Sequence, residues 1–304
     1  MTVDELTTYL RHRVIGLLHV NAVGPGDRLP SIRETSETLD ADHRAVAKAY
    51  RRLEEEGLVE VRPASGVYVA GEERARSGLA SATTDWIADV FLAGWRRRIP
   101  RGEVGEMMER AGTSTLRCAC VESVRDHMVA LAAEMEEDFG FEVERIYLED
   151  GGEGDDDARA DRIERIARAD LAVTLHFEAG RVRALAREAS TPLVVVTTNP
   201  ELAREIDAIL REEPVTAVVA DRRTLRRMRD HFDVTVHRDA VHPVLAGELD
   251  SLEDAEEAGR RVLATRAARR ELDAADYHIL PGRPTLVSPE SAREIFEVVA
   301  RLTG

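Results

Sequence analysis

The first seventy residues carry helix and turn signals in an order that few folds can satisfy. Apolar residues recur at helical spacing over residues 4–20, which predicts an amphipathic helix. Turn-forming residues at 23–27 end that helix. Ser31 then stands three residues before Glu34, and this capping box predicts a second, short helix over about 31–38. The chain therefore begins with two helices joined by a tight turn.

A third helix and a hairpin complete this N-terminal pattern. Asp42 can cap a helix that runs to about Glu56 and stops at Gly57. Short β-type runs follow at 58–61 and 67–69, and the turn residues between them predict a hairpin. Three helices followed by a β-hairpin are typical of a winged helix-turn-helix domain.

The third predicted helix has one apolar face and one basic face. The apolar face, which we expect to pack on the first two helices, consists of Val46, Ala49, Tyr50 and Leu53. The basic face carries Arg44, Lys48 and Arg51, with His43 and Arg52 beside it. A helix of this kind suits the major groove of DNA, although exposed basic faces also occur on helices that bind nothing. Lys48 is the only lysine of the chain, and it lies on this face.

Other candidate DNA contacts lie on either side of this helix. Ser31 and Arg33 begin the second helix, where free backbone N–H groups favour phosphate. Arg62 and Gly66 belong to the predicted hairpin, which can reach the DNA backbone or the minor groove.

Three motifs, in this order and spacing, resemble the GntR family of bacterial transcription regulators. They are a G-x-x-L-P-S-x-R turn at 26–33, an A-Y-x-x-L-x-x-E-G-L-V helix end at 49–59 and a G-x-Y-V wing at 66–69. The resemblance covers about residues 5–70 and implies a DNA-binding regulator. It also implies DNA contacts from Ser31, Arg33, His43, Arg44, Lys48 and Gly66.

The segment Val46–Tyr50 is similar to the YtrA-like branch of that family, in which a helical pair follows the winged helix and helps dimerisation. One position departs from the family. GntR proteins usually open the recognition helix with small polar residues, whereas this chain has Asp42-His43-Arg44-Ala45. A base preference therefore does not transfer, and Ala45 offers no hydroxyl to a phosphate.

Residues 73–112 are expected to supply that helical pair. The stretch 71–81 shows no periodicity and is expected to be a linker. Helices are predicted at about 83–97 and 102–111. The first of them carries an apolar stripe, typical of a core or a subunit contact, formed by Trp86, Ile87, Val90 and Phe91.

From residue 115 onward, short apolar runs alternate with helical patterns. Strands are predicted at 116–121, 143–148, 171–175, 193–196, 215–219 and 234–236. Helices are predicted at about 124–138, 158–168, 178–188, 200–211, 222–231, 252–275 and 289–302. This alternation is typical of βαβ units and a mostly parallel sheet.

The predicted fold class is therefore multi-domain α/β: a winged helix-turn-helix domain at 1–72, the helical pair at 73–112 and an α/β domain at 113–304. GntR proteins divide by the domain that follows the winged helix. A PLP-binding aminotransferase domain needs a lysine, and residues 71–304 contain none. The β-type runs argue against an all-helical domain, and their alternation with helices argues against a mainly antiparallel one. The domain type that remains is a Rossmann-like or periplasmic-binding-protein-like α/β domain. This assignment rests on the similar alternation of strands and helices in those folds.

Ligands of parallel α/β sheets bind at the carboxyl ends of the strands. The residues at those ends are Glu122, Ser123, His176, Thr197, Thr198, Asn199, Asp221 and Arg222. They are our candidate effector site. Helix capping is an equally physical role for Thr198 and Asn199, and His176 also suits a packed or solvated position.

Enzymatic, metal and redox chemistry find little support. The chain has no G-x-G-x-x-G, P-loop, G-x-S-x-G or H-E-x-x-H motif. Cys118 and Cys120 share one face of a predicted buried strand. This position favours ordinary core cysteines over a redox switch or a metal site. The spacing of His231, His237 and His242 matches no zinc pattern. We therefore expect no catalytic residue, cofactor or metal.

The formal net charge of −16 argues against indiscriminate binding to nucleic acid, so a DNA contact must be local. Without a signal-type segment or an apolar run of about 20 residues, we expect a cytoplasmic protein with no membrane contact. The predicted function is a homodimeric regulator that binds double-stranded DNA with an inverted repeat and responds to a small molecule of unknown identity. The alternatives are a DNA-binding module fused to an enzyme, with Glu122, His176 and Asp221 as acid–base candidates, or to a closed dimerisation or interaction domain.

Overall fold

The structure is a computed structural model. It describes residues 1–19, 22–148, 156–202, 204, 206, 214–224, 226, 241–247, 261–269 and 285–304. The chain divides into two compact units, the first formed by Met1–Met107 and the second beginning at Met108. The division falls inside a helix, slightly before the predicted domain boundary at 112/113.

The first unit is a winged helix-turn-helix, as predicted. Its helices are α1 (Val3–His19), α2 (Ile32–Leu39) and α3 (His43–Glu55). Its strands are β1 (Arg28–Leu29), β2 (Val59–Arg62) and β3 (Gly66–Val69), which form an antiparallel sheet in the order β1-β3-β2. The core is closed by apolar residues at helical spacing on α1 and α3, namely Leu6, Leu10, Val14, Val46, Ala49 and Leu53.

Both predicted helix caps are present. The N–H of Glu34 donates to Ser31 Oγ at 3.2 Å, and the Ser31 N–H donates to Glu34 Oε2 at 2.6 Å. Asp42 accepts the N–H of Ala45 at 2.9 Å and so begins α3. Gly57 follows the helix with φ +81°, a conformation that glycine adopts without strain. Each cap stabilises its helix by about 1 kcal/mol.

The segment predicted as a linker is helical. Helix α4 runs without interruption through Glu72–Arg96, so the expectation of an aperiodic connection at 71–81 was wrong. Its first turns pack on the winged helix through Ala75 and Gly78, which are buried, and Leu79, which is partly buried. A face made of such small residues gives almost no apolar periodicity, which is why the helix escaped detection.

Helix α5 (Arg101–Thr113) follows α4 and packs closely against its end. A Cβ built on Gly94 would lie only 2.4 Å from Val104 Cγ2. Glycine at position 94 therefore allows the two helices to touch, as a helical pair.

The second unit contains a four-stranded parallel sheet in the order β5-β4-β6-β7. Its strands are β4 (Arg117–Glu122), β5 (Glu142–Tyr147), β6 (Leu171–Leu175) and β7 (Leu193–Val196). Its helices are α6 (Arg125–Glu137), α7 (Asp156–Ala167) and α8 (Ala179–Ala189). Because β4 pairs with both β5 and β6, the strand order reverses between β4 and β6.

Alternate residues of the buried strands face two separate cores. Cys118 and Cys120 face one core together with Met128 and Leu131 of α6. Ala119 and Val121 face the other, together with residues of α7 and α8. A strand buried on both faces is typical of a doubly covered parallel sheet.

A second parallel sheet in this unit has the order β10-β8-β9. It consists of β8 (Val215–Val219), β9 (Val241–Leu245) and β10 (Arg261–Ala264). The long helix predicted at 252–275 was wrong at its centre, because residues 261–264 pair with β8 and bury Val262. The predicted strand at 234–236, and most of the helices at 200–211 and 222–231, lie outside the described residues.

After the short α9 (Arg266–Arg269) the chain returns to the first parallel sheet. Thr198 forms an antiparallel bridge with Val287, and α10 (Pro289–Thr303) packs Ile295 and Val298 into the core beside β7. The prediction of a mostly parallel α/β architecture is confirmed, and the described residues of this unit form two parallel sheets.

Candidate functional site

The candidate DNA-binding residues of α3 are exposed, while its opposite face is buried. His43, Arg44, Lys48 and Arg51 are all solvent-exposed. Val46, Ala49, Tyr50 and Leu53 are at most 2% exposed. The helix therefore presents a basic surface whose orientation is fixed by its packed side.

Arg52, which is next to this surface in the sequence, is engaged elsewhere. Its guanidinium forms an ion pair with Asp4 of α1 and donates to that carboxylate. Arg52 therefore helps to hold α1 against α3.

The start of α2 presents Ser31 and Arg33. Ser31 serves as the N-cap, and its hydrogen bond to Glu34 keeps the pKa of that carboxyl below its usual range. Arg33 is 82% exposed and pairs with Glu37 at 2.9 Å, one turn along the same helix. An ion pair this exposed is weak, so a phosphate can compete for the guanidinium.

Tyr50 fixes the position of α2 relative to α3. Its hydroxyl lies 3.0 Å from Thr35 Oγ1 and donates to the carbonyl of Pro30, also at 3.0 Å. The side chain itself is 2% exposed. The two helices that carry the candidate contacts are thus joined by a buried hydrogen-bond network. Sequence reasoning placed Tyr50 only in the core.

The wing carries the two remaining candidates. The Arg62 guanidinium lies 4.3 Å from the centre of the Tyr68 ring and donates to Glu60 at 3.1 Å. Gly66 begins β3 with φ +127°, which a side chain would strain. The tip between the strands, residues 63–65, is exposed.

The candidate effector residues at the ends of β4 and β6 form a buried cluster. Glu122 is fully buried, and its Oε1 accepts the N–H of Leu175 at 2.6 Å and the hydroxyl of Thr174 at 3.1 Å. Among the described residues Glu122 Oε2 has no hydrogen-bond partner, and His127 Nδ1 lies 3.7 Å from it. Ser123 donates to Glu178 at 2.6 Å. This cluster lies where the strand order reverses, the usual ligand position in such sheets.

The aromatic side chains beside this cluster are more exposed. The His127 and Phe177 rings stack with centroids 5.5 Å apart, and His176 lies against Phe177 at 3.8 Å. Phe177 is 49% exposed, and His176 is exposed. His127 was not among the predicted candidates, because nothing in the sequence links it to the strand end.

Thr197, Thr198 and Asn199 connect β7 to the returning chain. The Thr197 hydroxyl lies 2.6 Å from Ser288 Oγ, and Thr198 pairs with Val287. The amide of Asn199 donates to Thr285 and accepts the N–H of Glu201 at 3.0 Å. The capping interpretation of Asn199 therefore has geometric support.

Asp221 and Arg222 follow β8 in the other sheet. Burial raises the pKa of Asp221, but hydrogen bonds from the Arg223 side chain, the Arg223 N–H and the Arg125 N–H outweigh it and lower the pKa to about 2. The last of these bonds, from Arg125 at 3.1 Å, connects Asp221 to the beginning of α6. Arg222 is exposed.

Two buried carboxylates were missed by sequence reasoning. Asp126 accepts four hydrogen bonds from residues beyond β8 and β10, and Glu134 accepts the N–H groups of Leu286 and Val287. Burial raises the pKa of Glu134. Both acids occupy ordinary helical positions, and their partners are far away in the sequence, so no local signal marks them.

The described cysteines and histidines form no group suited to a metal ion, and the two cysteines are free. Cys118 and Cys120 are buried free thiols, and burial raises the pKa of Cys120 well above its usual value. In the described ranges, His, Cys, Asp and Glu nowhere form a group of three suited to a metal ion. His242 lies in β9, whereas His231 and His237 lie outside the described residues. None of the described helices is both long and apolar enough to span a bilayer.

A helix-turn-helix with a basic outer helix and an antiparallel wing defines the class of the first unit: a winged helix-turn-helix DNA-binding domain. Residues 6–69 match the family model of bacterial regulatory proteins of the gntR family, so this segment is a GntR-family domain.

Two curated relatives share this region. The chain is 32% identical over 78 residues to an HTH-type transcriptional regulator of Mycobacterium tuberculosis (Rv1152), covering 26% of this chain and 64% of that protein. It is 37% identical over 65 residues to the HTH-type transcriptional repressor YtrA of Bacillus subtilis, covering 21% of this chain and 48% of the repressor. The chain thus spans less than two thirds of the length of either relative.

Among solved structures, a GntR family transcriptional regulator from Listeria monocytogenes aligns with 36% of this chain and 92% of its own. The TM-score is 0.30 and the identity is 17%.

Proposed function

We propose that this protein is a GntR-type transcription regulator that binds specific double-stranded DNA through α3, the start of α2 and the wing. The observation that carries the proposal is the exposed basic face of α3 within a segment that matches the gntR family model. With a net charge of −16, most of the molecule repels DNA, so this local surface must supply the attraction. Such a protein acts in the cytoplasm, where bacterial DNA lies.

In this proposal the candidate residues have distinct roles. Ser31 and Arg33 hold phosphates at the helix start, whereas His43, Arg44, Lys48 and Arg51 enter the major groove. Arg62 and Gly66 bring the wing to the backbone or the minor groove. Phosphate contacts set affinity and its salt dependence, and base contacts set sequence preference.

Selection from fragments of the source genome tests the DNA proposal. Enriched fragments are titrated against the full chain by fluorescence anisotropy, beside Arg44→Ala. We expect a Kd at least about 10³-fold below that for random DNA, and a loss of about tenfold or more in the variant. Equal affinity for enriched and random DNA would overturn the proposal.

We further propose a homodimer formed through α4 and α5. Large apolar side chains on these helices are exposed, including Trp86 at 58%, Trp95 at 65% and Met107 at 48%. Exposed side chains of this size in one region usually mark a protein interface. A symmetric dimer presents two recognition helices about one DNA turn apart, so the operator is an inverted repeat.

The α/β unit is proposed to bind a small-molecule effector at the strand ends. The observation in favour is the buried Glu122 Oε2, which has no hydrogen-bond partner in the part of the chain that the structure describes and lies where the strand order reverses. An effector that brings an N–H group to this oxygen would satisfy it. Glu122, Ser123 and His176 are its first candidates. Thr197, Thr198 and Asn199 follow the neighbouring strand β7, and Asp221 and Arg222 follow β8 of the other sheet.

The thermodynamic coupling between effector binding and DNA binding tests the effector proposal. A metabolite library is screened by thermal shift, and each ligand found is added to the DNA titration. We expect a ligand that changes DNA affinity at least about fivefold, and DNA must change the affinity for that ligand by the same factor. A proven ligand with no effect on DNA affinity would contradict the proposal.

A further inference from the structure

The buried carboxylate of Asp126 occupies a set of four hydrogen-bond donors. Its Oδ1 accepts the N–H of Ala220 at 3.1 Å and the hydroxyl of Thr265. Its Oδ2 accepts the N–H of Asp221 at 2.9 Å and the hydroxyl of Thr224 at 2.7 Å. Asp126 itself is 4% exposed, and its bond to the Thr224 hydroxyl is buried, whereas the other three bonds are partly buried.

These donors follow two neighbouring parallel strands at the same sheet edge. Ala220, Asp221 and Thr224 come after β8, and Thr265 comes directly after β10. The carboxyl edge of a parallel sheet is where such folds bind ligands. Two adjacent backbone N–H groups with two hydroxyls form an arrangement suited to a carboxylate or phosphate.

Asp126 reaches this set from α6, the helix that packs on the other sheet of the same unit. It lies in the first turn of α6, whose N-cap residue, Val124, supplies no side-chain hydrogen bond. Instead Asp126 accepts the Asp221 N–H, and Asp221 accepts the Arg125 N–H at 3.1 Å. The two carboxylates therefore cap each other's segments and tie the ends of both sheets together.

We propose that these four donors are an anion-binding subsite for the carboxylate or phosphate group of a small molecule, and that Asp126 fills the subsite when no such molecule is bound. This inference rests on the proposed function, since it assigns a chemical class to the effector of the α/β unit. A side chain tethered in place acts at high effective concentration, so a simple anion does not displace it. An effector needs further contacts, such as those at the β4 and β6 ends, to compete.

Removal of the competing side chain tests the subsite directly. Full-length Asp126→Ala and wild type are melted in increasing sodium formate, sodium acetate or sodium phosphate, each matched to sodium chloride at equal ionic strength. We expect a lower melting temperature for the variant, and a saturable rise with formate, acetate or phosphate that chloride does not produce. The apparent Kd for that anion should be at least tenfold weaker in wild type. The relative strength of the formate and phosphate responses separates the two ligand groups.

A second substitution checks that the anion uses the same donors. Asp126→Ala combined with Thr265→Val loses one hydroxyl with little change in shape, and we expect its anion affinity to fall at least fivefold. If Asp126→Ala unfolds in chloride, its refolded fraction in formate replaces the melting temperature as the readout. Equal effects of formate and chloride, or an unchanged response after Thr265→Val, would overturn the proposal. Wild-type DNA binding is measured in the same buffers, so failure of the subsite is distinguishable from failure of the proposed regulator.

Discussion

At the scale of single residues, the Tyr50 hydroxyl couples the two helices proposed to contact DNA. Tyr50→Phe deletes its bonds to Pro30 and Thr35 and leaves the buried Thr35 hydroxyl without this partner. We expect the free energy of unfolding to fall by about 1–2 kcal/mol, measured by urea titration. The matched control is Tyr68→Phe, whose hydroxyl bonds Ser65 at the exposed wing tip. In the control the free energy of unfolding should change by less than about 0.5 kcal/mol. An equal fall in both variants would contradict the role of Tyr50.

The free energy of unfolding should depend on the protonation state of Asp221 at acidic pH. Its pKa is about 2 in the folded protein, against 3.8 for an ordinary aspartate. A lowered pKa stabilises the fold above the ordinary value, and this stabilisation is lost as pH falls toward about 2. The stability difference between wild type and Asp221→Asn, from urea unfolding at several pH values, should therefore shrink from pH ~6 to pH ~3. A difference that stays constant would contradict this assignment.

At the scale of elements, glycine positions decide how closely α4 packs. A Cβ at Gly78 would lie 2.8 Å from the Glu56 carbonyl oxygen, which is backbone and cannot rotate away. Gly78→Ala should therefore lower the free energy of unfolding by about 1–3 kcal/mol. Gly105, in α5, has no atom within 4 Å of such a Cβ. Gly105→Ala should raise stability by about 0.5–1 kcal/mol, and shifts of the same sign in both variants would contradict the packing of α4.

Elements whose signals are local were predictable from sequence. The capping box at Ser31, the Asp42 cap and the glycine stop at Gly57 fix the helix bounds within a few residues, and each was confirmed. Strands β4, β6 and β7 of the first parallel sheet followed from their short, mostly apolar runs. The first turns of α4, over residues 72–81, and strand β10 were mispredicted, because small residues and tertiary strand pairing override local propensity there.

The candidate sites also differ in how far the sequence predicts them. Exposure of the basic face of α3 follows from helical periodicity, since its apolar face must be buried. The hydrogen-bond partners of Asp126 could not be predicted from the sequence. They lie in segments about a hundred residues or more away that only the fold brings together. No periodicity, motif or cap in the sequence distinguishes Asp126 from an ordinary acid in a first helical turn.

At the scale of the whole molecule, the apolar surface of α4 and α5 should control assembly. Trp86→Glu places a charge on this surface and should convert a dimer to a monomer by light scattering. DNA affinity should fall at least about tenfold, because two half-sites no longer bind together. The control is Leu302→Glu, a substitution of similar exposure on α10, which should remain dimeric. A monomeric wild type, or a dimeric Trp86→Glu, would contradict the interface.

The two tryptophans of the chain, Trp86 and Trp95, also report this assembly without substitution. Both lie on α4, so their fluorescence reports that helix alone. Dilution of the wild type should shift the emission to longer wavelength as both indoles become exposed. An emission spectrum independent of concentration over the dimer–monomer range would contradict burial of these residues between copies.

The central claim, that the first unit binds DNA through its basic helices, is tested most directly by salt dependence. Wild type, Arg33→Ala and Arg76→Ala are titrated with an enriched fragment at several salt concentrations. Arg33 and Arg76 form matched exposed ion pairs, with Glu37 and Glu72 respectively, but only Arg33 lies at the proposed surface. Loss of one phosphate contact should reduce the slope of log K against log salt by about 0.9 in Arg33→Ala and leave Arg76→Ala like wild type. Identical slopes and affinities in all three proteins would contradict the claim.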